Sequence, residues 1–189
     1  MIDKNRLVSI SDAIVAVAAT IMVLQLDIPE RVGWAAVQSQ HQTLIAYLIS
    51  FLQIFLAWHE HHDSLAGATK INHRIFLINC LWLFFITMLP LATGVIGKSP
   101  EHAPSILLYI LILLAIQLTI TWESHSVCKL NKIEVLDKPV IQKIRVLSIT
   151  GYIIAAALAF VKPICGLIII LLVTAIELVM ICLYDRKFY

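Results

Sequence analysis

Two short constellations carry the chemistry in this sequence. The first lies in an apolar run from Arg6 to Leu26, which sets Ser11, Asp12 and Thr20 among alanines and branched aliphatic residues. A carboxylate inside a membrane-spanning helix costs about 2.5–3.5 kcal/mol at the bilayer centre on insertion scales, and less near an end, so it turns inward and takes a partner. Asp12 is therefore a candidate for function or for assembly. Ala13, Ala16, Ala18 and Ala19 let neighbouring backbones approach closely in lipid, which suits a helix packed on several sides, as at the centre of an oligomer. Steps of four, three and four residues put Ala13, Val17, Thr20 and Leu24 on one helix face. Copies of that face around an axis would make uncharged rings, with apolar constrictions at Val17 and Leu24 and hydroxyls at Thr20 between them. Hydroxyls can replace part of an ion's hydration shell, and apolar rings can gate by dewetting. The same stripe also fits plain helix packing, with the Thr20 hydroxyl bonded to a carbonyl of the preceding turn.

The second constellation is His59-Glu60-His61-His62-Asp63. His59 shares a helix face with His62 and Asp63, which is metal-like spacing, but the run is not HExxH and places no catalytic acid as that motif requires. No metal site, catalytic residue or cofactor is expected. A membrane enzyme using these histidines would hold a metal, which a metal assay on purified protein detects. Glu177 sits deep in the last apolar run; a structural hydrogen bond is favoured there over an ion or proton pathway. Glu123 is expected to reach the membrane interface, and Trp34, Tyr47, Tyr109, Trp122, Tyr184 and Tyr189 to anchor span ends. The four cysteines form no CxxC pair and read as buried small hydrophobes.

The elements that position these residues follow from composition. Hydrophobic residues are 60% of the 189-residue chain and charged residues 14%, against roughly 25% charged in soluble domains; mean hydropathy is +0.91. A net charge of +2 gives no reason to expect nucleic acid as a partner. Spans need about 20 mainly apolar residues, and six segments qualify: about 7–28, 42–59, 72–97, 104–123, 144–161 and 163–184. The expected fold is all-α, a polytopic membrane protein forming one six-helix domain over 1–189. Its breaks fall at Pro29-Glu30-Arg31, at His59 to Lys70, at Gly94, Gly97, Pro100 and Pro104, at Ser124 to Lys143, and at Lys162-Pro163. The first run resembles a signal peptide, but Ser9, Ser11 and Asp12 interrupt it and its length predicts a retained helix. Val127, Leu130, Ile133 and Leu136 fit either a short amphipathic helix or a solvated loop. With both termini cytoplasmic, eleven of the fourteen Lys and Arg fall inside: Lys4, Arg6, Lys70, Arg74, Lys129, Lys132, Lys138, Lys143, Arg145, Arg186 and Lys187. Arg31, Lys98 and Lys162 fall outside, so the positive-inside rule supports an even number of spans in the cell membrane.

Arg6-x-x-x-Ile10-Ser11-Asp12 resembles the Arg-x-x-x-Phe-Ser-Asp signature of the transmembrane-protein-175 family of potassium-permeable channels. Ala16 to Leu26 is similar to that family's first helix. Trp58-His59-Glu60-His61-His62 resembles the Trp-x-x-His-His ending its second, and Asn79 with Leu83 to Pro90 looks like its third. The likeness covers the first half of the chain; beyond Gly97 only the hydropathy agrees. The resemblance implies a six-helix subunit of a homotetramer, with first helices lining a pore at Ala13, Val17, Thr20 and Leu24. Its permeant ions would be K+ and other monovalent cations, passing hydrophobic constrictions in place of a carbonyl filter. It also implies a hydrogen-bonded cluster of Arg6, Ser11, Asp12, His61 and Asn79 holding the pore helix. Ile10 replaces the family's Phe, and Val17 its leucine, so the Val17 ring could be wider. A secondary transporter or proton-coupled carrier, with Asp12, His61 and Glu177 as coupling groups, is the rival. Transporters usually show internal repeats and broken midplane helices, and neither is clear here.

Overall fold

The computed structural model describes residues 3–26, 33–34, 40–133 and 139–185. Pro29, Glu30, Arg31, Leu136, Lys138, Arg186, Lys187 and Tyr189 lie outside the described residues, as does the side chain of Tyr184. The described residues form helices and no strand: α1 Lys4–Met22, which tightens into a 3-10 turn at Val23–Gln25, α2 His41–Ala66, α3 His73–Lys98, α4 Ala103–Asn131, α5 Pro139–Val161 and α6 Pro163–Asp185. Each of the six is long and apolar enough to cross a bilayer, and the chain is a multi-pass membrane protein. Lipid competes for apolar side chains as well as another helix does, so close packing and buried polar bonds hold such a bundle together.

Local chemistry sets several ends. The Asp3 side chain accepts from the Asn5 amide at the start of α1, and Asn72 caps α3 by accepting from Ile75 N–H. Lys132, at φ 54°, closes α4 in the left-handed conformation. Pro139 and Pro163 open α5 and α6, where their missing N–H has no partner to lose.

α3 and α4 are the most enclosed helices, and Trp82, Ile86 and Leu89 of α3 meet Ile106, Ile110 and Leu113 of α4 in the main core. Gly94 and Gly97 do not break α3 but lie within it. A Cβ on Gly97 would sit 3.0 Å from the Thr43 backbone, so α2 approaches α3 closely there, and Thr43 Oγ1 donates to Gly97 O. Lys4 Nζ donates to Ala66 O, and Asn131 takes the Thr69 and Lys70 amides. These bonds gather the start of α1, the α2–α3 turn and the end of α4 at one end of the bundle. Lys4, Arg6, Lys70, Arg74, Lys129 and Lys132 all belong to that end.

Three helices outrun their expected lengths, α5 by starting at Pro139 where about 144 was expected. α2 continues past residue 59 to Ala66 and α4 past 123 to Asn131, because the polar residues there find partners inside the bundle. Residues 124–131 are therefore neither loop nor separate amphipathic helix: Val127 is buried against Leu7, Leu65, Ile71 and Ile75. Tyr109, expected at an interface, is buried with its hydroxyl 2.8 Å from Ser50 Oγ. Cys80 and Cys182, expected to be buried, are exposed; in a membrane protein an apolar residue faces lipid as readily as the core.

Candidate functional site

α1 packs mainly on α3 and secondarily on α2. Its buried face is Leu7, Ser11, Val15, Ala18, Ala19 and Met22. At 3.6 residues per turn, Ala13, Val17, Thr20 and Leu24 point roughly the opposite way. All four are exposed on the isolated subunit, Val17 at 54% and Leu24 at 75%. Alanines serve both faces: Ala18 and Ala19 let α1 seat on its own bundle, while Ala13 and Ala16 leave the outer face thin enough for another copy to approach. Thr20 Oγ1 donates to Val17 O at 2.8 Å. A hydroxyl has one donor and two acceptor lone pairs, so the outward remainder of Thr20 is acceptor only, the polarity that suits a cation.

A buried polar cluster fixes the other side of α1. Ser11, fully buried, donates to Leu7 O at 2.9 Å and lies 3.1 Å from Asn79 Oδ1. The Asn79 amide nitrogen is 2.8 Å from His61 Nε2, and the His61 ring stacks on Trp82 with centroids 4.3 Å apart. Asp12 accepts from Trp58 Nε1 at 2.8 Å. The structure thus brings Ser11, Asn79 and His61 into one chain of bonds across α1, α2 and α3. Asp12 joins α2 through Trp58, one helical step away, and Arg6 is exposed. Glu123 corrects an expectation: it does not reach an interface but is fully buried in α4, with its carboxyl 3.8 Å from His61 Nε2. Among the described residues no group of three His, Cys, Asp or Glu could hold a metal.

A second set of polar residues lies inside the subunit between α2, α4, α5 and α6. Arg145 Nε donates to Glu60, its Nη2 donates to Ser64 Oγ at 3.1 Å, and Gln117 donates to Glu60 at 3.0 Å. Gln53 donates to Thr174 and accepts from Tyr152, and Ser148 donates to Glu177. The sequence carries a signal for this set. Arg145, Ser148 and Tyr152 step by three and four along α5, and Thr174 and Glu177 by three along α6, each a polar stripe on an otherwise apolar helix.

Six apolar helices, the first anchored by polar bonds on one side and exposed on the other, define an α-helical multi-pass membrane protein. Residues 6–90 match the family model described as endosomal/lysosomal potassium channel TMEM175. A Chryseobacterium protein named a potassium channel is 38% identical over 96 residues, 51% of this chain and 50% of that protein; the chain thus spans about half of that relative's length. A Chamaesiphon minutus protein, also named a potassium channel, is 25% identical over 85% of this chain and 86% of its own. The crystal structure of a lysosomal potassium-selective channel TMEM175 homolog from Chamaesiphon minutus superposes with TM-score 0.81 at 22% identity. It covers 93% of this chain and 96% of that one, and this likeness concerns the fold.

Proposed function

We propose that this chain is one subunit of a potassium-permeable cation channel, a homotetramer in the cell membrane with both termini cytoplasmic. Four α1 helices turn Ala13, Val17, Thr20 and Leu24 toward a shared axis. The observation that carries this reading is the bare outer face of α1: its small and apolar residues stay uncovered while Ser11, Asp12 and Asn79 hold its back to the bundle. The match of residues 6–90 to the TMEM175 family model, and relatives named potassium channels, support the ion class. Val17 and Leu24 form apolar constrictions, and the Thr20 oxygens offer lone pairs to a partly dehydrated cation between them. The basic residues gathered at one end of the bundle support a cytoplasmic location for that end. No bound cofactor takes part, and ions move down their gradient.

Purified protein in planar bilayers under opposed potassium and sodium gradients tests this. Unitary current steps with a reversal potential displaced toward potassium are expected, and Thr20→Val is expected to reduce that displacement by removing the acceptor ring. Strictly coupled flux without current steps would instead identify a carrier.

A further inference from the structure

The polar residues inside each subunit surround a cavity that the pore reading does not use. It lies between α2, α4, α5 and α6, and its lining includes the buried Gln53, Gln117, Tyr152 and Glu177 and the half-buried His59, Asp63, Ile141, Ile144 and Ile181. Its volume is about 40 Å³, room for roughly three water-sized groups. The two buried acids on its wall differ. Glu60 is answered by Arg145, whereas Glu177 has Ser148 as its hydrogen-bond donor and no cation beside it among the described residues. A carboxylate enclosed within a membrane span is costly until a positive charge or a proton reaches it. The cavity is lined by Glu177 together with the apolar side chains of Ile116, Ile144 and Ile181.

We propose that each subunit binds a small primary ammonium ion in this cavity, its N–H groups donating to Glu177 and its carbon end against Ile116, Ile144 and Ile181. The isoleucines offer contact to an alkyl group, which an alkali ion lacks. Gln53 already spends its amide on Thr174 and Tyr152, and the Glu60 carboxylate is occupied by Arg145 and Gln117. Three groups in a row, a nitrogen and two carbons, match the volume, so ethylammonium is the natural probe.

Calorimetric titration of ethylammonium chloride into the purified full-length protein in detergent tests this without any current being measured, so it stands apart from the channel reading. Saturable binding is expected, at least tenfold weaker in Glu177→Gln and undiminished by an equal concentration of potassium chloride. Ile144→Trp, which fills the cavity and leaves the acid in place, is expected to abolish it. Three results would overturn the proposal: no saturable heat with wild-type protein, equal binding by Glu177→Gln, or displacement by potassium at matched concentration. Should Glu177→Gln fail to fold, the Ile144→Trp titration and the potassium competition decide.

Discussion

Leu24→Lys is expected to cut the cation current more than tenfold while the protein still folds and assembles. Leu24 is 75% exposed on the subunit and lies in the 3-10 turn that ends α1, so a longer polar side chain meets no core atoms and stays near the membrane boundary, where lysine is tolerated. In the proposed assembly each copy places its ammonium beside the ion path. A cation passing about 6 Å from one such charge, at an effective dielectric of about 20, is opposed by about 3 kcal/mol. A barrier of that size corresponds to roughly a hundredfold in rate. Size-exclusion chromatography of the same preparation separates loss of current from loss of assembly. A folded variant carrying wild-type current would remove Leu24 from the path.

Arg145→Met is expected to have an effect of similar size on the fold. Arg145 and Glu60 are both buried and paired, and the pair ties α5 to α2. Removing one partner of a buried pair costs about 3–5 kcal/mol, because the other is left charged and enclosed, whereas replacing both with apolar groups is often close to neutral. The single variant is therefore expected to aggregate or to melt far below the wild-type protein in a thermal unfolding assay. Glu60→Met combined with Arg145→Met is expected to recover most of the loss, short of the bond that Gln117 gives up. A single variant as stable as wild type would show that the pair does not hold these helices together.

The six helices were legible in the sequence because lipid demands about the same length and apolarity of every span, and no soluble partner masks that signal. Their ends were less so. Glu60, His61, Ser64, Glu123 and Ser124 look like interface or loop residues to any hydropathy average. They continue α2 and α4 because Arg145, Asn79 and Gln117 meet them in the bundle, and those partners come from other spans. For the same reason Glu123 could not be read as buried: its position depends on where α4 stands against His61, which is a tertiary fact.

The site divides in the same way. Spacing alone picked out Ala13, Val17, Thr20 and Leu24 as one face, and that face is the exposed one. The bonds among Ser11, Asn79 and His61 were expected only through the family resemblance, since nothing in the local sequence ties residue 11 to residue 79. Arg6, expected with them, stays exposed and outside that chain of bonds. Arg145, Ser148 and Tyr152 on α5 and Thr174 and Glu177 on α6 form stripes that are plain once periodicity is sought among polar residues as well as apolar ones, whereas Glu60 and Gln117 of the same set lie on α2 and α4.

The central claim is that the outer face of α1 meets ions and water, not lipid. A cationic methanethiosulfonate reagent applied to Leu24→Cys protein during bilayer recording tests it directly, with unsubstituted protein as the control for Cys80 and Cys182. The account predicts that current falls by more than half and returns on addition of a reducing agent, while the control is unchanged. Current that persists at full size through reagent exposure, with Leu24→Cys unlabelled by mass spectrometry, would place this face in the hydrocarbon and contradict the account.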